Sequence, residues 1–177
     1  MISNKDSALI LVDGSNFYYK LKDLSLEQEK FDFTKFSEWL SETKKFKVIY
    51  YVGAVRQEPK NAKSKILYAK QRSFLSQLQK QGVNVELGYI MKSDGYHEKG
   101  VDVKIATDLL VGTYENLFTK AFLVSSDTDL LPAVEKTISK GKLVEFVGFA
   151  HLPSYALIRK CSSSRLLHKE DLMKFNL

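Results

Sequence analysis

Cysteine occurs once, at Cys161, so the chain offers neither an internal disulfide nor a CxxC-type zinc site. That usage suits a reducing compartment. The three histidines, His97, His151 and His168, lie far apart and form no HExxH motif or close pair, which removes the usual preassembled transition-metal site. No window approaches the roughly 20 apolar residues that cross a bilayer. The run Ala8–Val12 before Asp13 is too short for a secretory signal. A cytoplasmic protein with no membrane partner is expected.

What is present is a globular balance of 44% hydrophobic and 27% charged residues in 177 positions, enough for one well-buried domain spanning 1–177. Net charge is +6, which favours association with polyanions.

Ala8–Val12 is a short unbroken apolar run ending at Asp13-Gly14, as expected of a strand covered on both faces. Phe17, Leu21 and Leu24 then recur at helical spacing, and a second helix is expected near Thr34 with Phe36, Trp39 and Leu40 inward. Lys47–Val55, Val83–Met91, Ala121–Val124 and Leu143–Phe149 read as further strands. Between them, helices are expected over Ala62–Gln81, with Ile66, Phe74, Leu75 and Leu78 inward, over Val101–Tyr114, and over Leu130–Lys140. Lys92–Gly100 reads as a loop. Beyond His151 a short helix around Ser154–Lys160, a loop Cys161–Ser164 and a packed piece with Leu166, Leu167, Leu172 and Phe175 are expected. Strands alternating with helices at this spacing predict a three-layer α/β/α domain around a mainly parallel sheet. The chemistry-bearing motifs fall within 8–149, and 150–177 is a packing segment.

In open sheets of this kind ligands bind outside the carboxyl ends of the strands. Two such ends carry aspartates here: Asp13 in VDGSN, and Asp127 and Asp129 in VSSDTD. Asp102, in KGVDVKIATDLL, starts a helix; at 100° per residue it lies roughly 40° from Ala106 and roughly 20° from Leu109, on the apolar stripe. A carboxylate on that face needs a partner to offset its desolvation. Several converging carboxylates repel and raise one another's pKa, whereas Mg²⁺ or Mn²⁺ keeps them ionised, and oxygen-only ligation suits these hard ions. Each piece also has a plainer reading: an Asx turn at Asp13-Gly14, a cap at Ser126 or Asp127, a helix-start acid at Asp102. Capping and metal binding are compatible, because both use the helix N-terminus.

The three motifs VDGSN (Asp13–Asn16), KGVDVKIATDLL (Lys99–Leu110) and SSDTDLLP (Ser125–Pro132), in this order and together covering most of Ala8–Phe149, resemble those of the NYN domains of the LabA-like branch within the PIN-like nucleases. The resemblance implies a PIN-like fold and metal-dependent ribonuclease chemistry. By motif it implies Asp13, Asp102 and Asp127 as principal ligands of Mg²⁺ or Mn²⁺, Asp129 as a supporting acid, and Asn16 as a polar helper positioning water or phosphate. Asp108 matches a recurrent family acid but lies about 120° around the helix from Asp102. It and Ser126 are expected behind the ligands, bracing them rather than touching the ion, or in a structural role. Cys161-Ser162-Ser163-Ser164 departs from the acid-containing ending expected of the family.

Setting the four site aspartates aside leaves the rest of the chain strongly basic. Arg56, Lys60, Lys63, Lys65, Lys70 and Arg72 face Glu58 alone within Arg56–Arg72, and Lys92 and Lys99 flank the segment before Asp102. Arg56, Lys60, Lys63, Arg72, Lys92 and Lys99 are therefore candidates for RNA phosphate contacts, though each also fits a solvated face. Among Tyr18, Tyr19, Tyr68 and Tyr96, Tyr96 is the preferred candidate for stacking on an unpaired base. The leading expectation is a hydrolase of RNA phosphodiesters. A non-catalytic RNA-binding or scaffold module and a haloacid-dehalogenase-like phosphatase using the DxD of Asp127 and Asp129 are the alternatives. Oligomeric state is open, a homodimer included.

Overall fold

The computed structural model describes residues 7–55, 57, 61–92 and 96–176, apart from the side chains of 90–92 and 96–98. In chain order the elements are β1 (Ala8–Asp13), α1 (Gly14–Asp23), α2 (Phe33–Ser41), β2 (Phe46–Gly53), α3 (Ala62–Lys80), β3 (Asn84–Lys92), β4 (Tyr96–Lys99) and α4 (Val101–Tyr114). There follow β5 (Lys120–Val124), α5 (Leu131–Ser139), β6 (Leu143–Phe149), α6 (Tyr155–Lys160), β7 (Ser163–Leu167) and α7 (Lys169–Met173).

One seven-stranded sheet runs β4-β3-β2-β1-β5-β6-β7. The six strands from β3 to β7 pair in parallel, and helices flank them on both faces. The apolar runs are continuous rather than alternating because each central strand is buried twice. Ile10, Val12, Tyr50 and Val124 face one core with Phe17 of α1, Phe36 of α2, Leu78 of α3 and Leu172 of α7. Leu9, Leu11, Ile49, Tyr51 and Leu123 face the other with Ile105 of α4, Val134 of α5 and Leu157 of α6.

This order makes the boundary between β1 and β5 the point where the winding reverses. The chain steps outward from β1 to β2 and β3 on one side and from β5 to β6 and β7 on the other, so the connecting helices take opposite faces. A crevice opens at the carboxyl ends between them. Helix α1, which leaves β1 at this point, is pinned by an aromatic cluster. The Phe17 ring lies 5.1 Å from Phe31, 5.3 Å from Phe33, 6.2 Å from Phe36 and 5.7 Å from Phe149. Such contacts add to area burial and hold the first turns of α1 in one position.

Three sequence expectations are corrected. Tyr96–Lys99, within the expected loop, is β4, antiparallel to β3 with Lys92 opposite Tyr96 and Tyr89 opposite Lys99. A short, largely polar edge strand lacks the apolar alternation that announces one. Ser163–Leu167, read as loop and packing piece, is β7, with Glu145 opposite Ser163 and Phe149 opposite Leu167. Its serines imitate a turn, but the backbone groups along the free edge of β6 require partners. In α3, Ile66 is exposed along with Leu67, while Phe74, Leu75 and Leu78 reach the core.

Candidate functional site

The crevice is lined by Asp13, Ser15, Asn16, Tyr19, Gly100, Val101, Asp102 and Asp127. Asp13 is the last residue of β1 and the N-cap of α1: Oδ1 accepts the Asn16 N–H at 3.0 Å. The capping and ligand readings therefore meet in one residue. Gly14 follows for steric reasons. A Cβ there would stand 2.5 Å from the Tyr51 carbonyl oxygen and collide with the Tyr50 ring, whose hydroxyl donates to the Gly14 carbonyl at 3.2 Å. Only glycine lets α1 start this close to β2.

The other oxygen of Asp13 is held by a residue that the sequence reading passed over. Ser125, the first residue after β5 and 2% exposed, donates from Oγ to Asp13 Oδ2 at 2.9 Å and accepts the Asp127 N–H at 3.1 Å. One hydroxyl thus ties the carboxyl ends of β1 and β5 together. The neighbouring Ser126, expected to brace the ligands, has a buried hydroxyl with no hydrogen-bond partner among the described residues. Strand alternation along β5 puts the two serines on opposite faces, and the pairing of β1 with β5 decides which of them meets Asp13.

Asp127 Oδ1 accepts the Asp129 N–H at 2.8 Å, capping the short 3-10 turn Thr128–Leu130. Asp129 itself is exposed, does not line the crevice wall, and its charge reaches Asp102. Asp102 sits in the first turn of α4, which starts at Gly100 in the left-handed region (φ 81°). Its carboxyl is held above the usual carboxylate range, chiefly by burial and then by the charges of Asp127, Asp13 and Asp129. Four acids from three segments far apart in sequence therefore act on one another here.

Asp108 lies off the crevice. It accepts the buried Tyr51 hydroxyl at 2.7 Å, and that hydroxyl is pushed strongly up by burial and by the carboxylate. Tyr51 is the register partner of Asp13 across β1 and β2, so Asp108 braces α4 against the strand beside the site. Of the basic set, Lys63, Arg72 and Lys99 are exposed; Lys63 and Arg72 stand on α3, on the opposite sheet face from α4. Arg56, Lys60 and the side chains of Lys92 and Tyr96 fall outside what the structure describes.

Among the described residues, no three His, Cys, Asp or Glu side chains are gathered tightly enough to ligate one ion as they stand. The donor set nevertheless fits Mg²⁺ or Mn²⁺. It is all oxygen, the partly buried Asp102 carboxylate faces the charges of Asp127, Asp13 and Asp129, and such ions use one or two direct carboxylates and keep several waters. No described helix is long and apolar enough to cross a membrane.

Comparison with known proteins agrees with this fold. A crystal structure of a protein of unknown function, VPA0982, from Vibrio parahaemolyticus is similar with a TM-score of 0.71 at 26% sequence identity, over 94% of this chain and 96% of that one. No curated protein matches the chain. The family model of the NYN domain matches residues 7–167, spanning all three acidic motifs and every strand of the sheet. The chain therefore belongs to the NYN domain family, a family of PIN-like nuclease type.

Proposed function

We propose that the protein is a divalent-metal-dependent ribonuclease of the LabA-like branch that hydrolyses RNA phosphodiesters at the acidic crevice. The observation that supports this best is the convergence of Asp13, Asp102 and Asp127 on one crevice, with the Asp102 carboxyl raised by burial and then by its neighbours' charge. Without a cation that arrangement is self-repelling and costs stability; a dication relieves it. A bound Mg²⁺ or Mn²⁺ supplies Lewis acidity that makes water nucleophilic and stabilises charge on the phosphate.

The chain's own residues divide the remaining work. Asp13, Asp102 and Asp127 would hold the ion, each carboxylate oxygen keeping lone pairs beyond its hydrogen bonds. Ser125 fixes Asp13 against Asp127. Asn16 offers its side-chain amide to water or a phosphate oxygen, and Asp129 adds negative charge at the rim. Val101 and Asp102 stand at the positive end of the α4 dipole, which favours the anionic substrate alongside the acids. Exposed Lys63, Arg72 and Lys99, with Arg56, Lys60, Lys92 and Tyr96, form the candidate RNA-contacting set, where each lost phosphate contact flattens the log–log salt dependence of binding by roughly 0.7 for a single strand.

The test is cleavage of an end-labelled single-stranded oligoribonucleotide in Mg²⁺, in Mn²⁺ and in EDTA. Cleavage is expected only with a dication, and Asp13→Asn, Asp102→Asn and Asp127→Asn each reduce it by at least about 100-fold while keeping the fold. Cleavage in EDTA, or wild-type turnover by any of these variants, overturns the reading. RNA binding without cleavage assigns a scaffold role instead, and hydrolysis of a phosphomonoester alone assigns a phosphatase.

A further inference from the structure

Tyr19 stands on the lip of the crevice with its ring in solvent. It lines the same pocket as Asp13, Asp102 and Asp127 and is 61% exposed, although α1 buries Phe17, Lys20 and Leu21 on its inner face. An aromatic ring left this open contributes little to the core, and nothing in the packing of α1 requires one there. Its orientation is nonetheless set. Tyr18 meets it edge-to-face at 5.3 Å and 71°, and α1 is anchored beneath by Phe17 among four rings.

The placement follows from helical spacing. Asp13 caps α1, Asn16 follows by three residues, Tyr19 by three more and exposed Lys22 by three again. Residues at i and i+3 are neighbours on a helix surface, each step rising about 4.5 Å. Each such step also turns about 60° around the axis, so Asn16 and Tyr19 share the side of α1 that lines the crevice, while Lys22 lies about 120° from Asn16.

We propose that Tyr19 is a base-stacking platform that positions an unpaired nucleotide beside the scissile phosphate. This rests on the ribonuclease reading of the crevice. In a duplex both faces of each base are covered by its neighbours, so a protein ring cannot reach them; an unpaired base presents a free face. Stacking is tolerant of base identity, because every base has a π-face, and so Tyr19 selects strand state rather than sequence. Tyr19 is a positioning residue in this scheme, and Tyr18 sets its tilt.

The experiment uses the full chain carrying Asp102→Asn, in Mg²⁺, so that RNA is bound without being cut. Asp102 is the right background because Asp13 caps the helix that bears Tyr19. The ligands are a mixed-sequence oligoribonucleotide containing 2-aminopurine and the blunt duplex of the same sequence. Expected are a 2-aminopurine quench on the single strand and a roughly 5- to 100-fold loss of single-strand affinity in Tyr19→Ala and Tyr19→Leu. Tyr19→Phe retains both, since it keeps the ring, and duplex affinity is unchanged throughout. Because Tyr19 is exposed these variants fold, which circular dichroism checks.

Parent-like single-strand binding by Tyr19→Ala, or equal losses on single strand and duplex, overturns the stacking role. In otherwise wild-type protein, Tyr19→Ala that cuts RNA with an unchanged KM overturns it while leaving the ribonuclease reading intact. If wild-type protein cuts no RNA but the quench and its loss in Tyr19→Ala persist, the catalytic reading fails and the platform stands. A parent that binds neither ligand overturns both.

Discussion

Ser125→Ala isolates the link between the two strand ends that build the crevice. The lost hydroxyl makes two hydrogen bonds, one to the carboxylate of Asp13 and one from the N–H of Asp127, in a residue only 2% exposed. A bond to an ionised partner is worth about 1.5–3 kcal/mol and an ordinary one about 1 kcal/mol. Asp13 keeps its bond from the Asn16 N–H, and water can enter the crevice, so part of the loss is recovered. The net expectation is a destabilisation of about 2 kcal/mol. It is read from urea unfolding at pH 7 through the fluorescence of Trp39, the single tryptophan, which stacks on Phe36 with the Arg165 guanidinium 5.0 Å from its ring. Crossing Ser125→Ala with Asp13→Ala in a double-mutant cycle cancels the cap that Asp13 also provides, and about 1 kcal/mol or more of coupling is expected. Affinity for Mn²⁺ falls about tenfold in Ser125→Ala, because the Asp13 carboxylate is no longer held. A single-mutant change below about 0.5 kcal/mol, with coupling no larger, refutes the view that this hydroxyl joins β1 to β5.

Gly14→Ala drives a methyl against the Tyr51 carbonyl and the Tyr50 ring, and since backbone is involved a loss of about 3 kcal/mol is expected in the same unfolding assay. An unchanged urea midpoint would show that α1 can shift freely. Asp102→Asn is expected to raise stability at pH 7 in EDTA. The folded carboxyl titrates above its unfolded value, so ionising it costs stability as pH rises through that window, and the amide removes the cost. Added Mg²⁺ then stabilises the wild type more than the variant; equal midpoints for the two in EDTA across pH 4–8 would contradict the repulsion. Glu145, whose side chain is 6% exposed, is desolvated by burial, but Lys120 and Arg165 more than offset this and hold its carboxyl below the usual range. Its contribution is present above the unfolded carboxylate pKa of about 4.3 and is lost as pH falls further. Glu145→Gln is expected to cost about 2 kcal/mol at pH 7, less than for a fully enclosed pair because both cations are partly exposed, and to flatten the acid limb of the stability curve. A wild-type acid limb in the variant would rule Glu145 out as its source.

The alternation of buried strands and amphipathic helices was legible in the sequence because burial on both faces writes itself as unbroken apolar runs. Ala8–Val12, Ala121–Val124 and Leu143–Phe149 all lie within strands of the sheet. The acids were legible for a related reason: Asp13 follows such a run directly and Asp127 comes two serines after one, where polar residues mark the end of a strand. Edge strands leave no such trace. β4 and β7 exist because the backbone of β3 and β6 needs partners, and polar or serine-rich segments meet that need without any apolar pattern. Only the tertiary structure distinguished Ser125 from Ser126, since the choice depends on which hydroxyl points at a carboxylate one strand away. Helical spacing had set Asp108 apart from Asp102, but only the tertiary structure turned it toward Tyr51 and left the ring of Tyr19 open beside the acids of the crevice. Local sequence carries the period and the ends of each element; which side chains meet at the switch point depends on strand order and crossover, and these are set by the packing of the whole sheet.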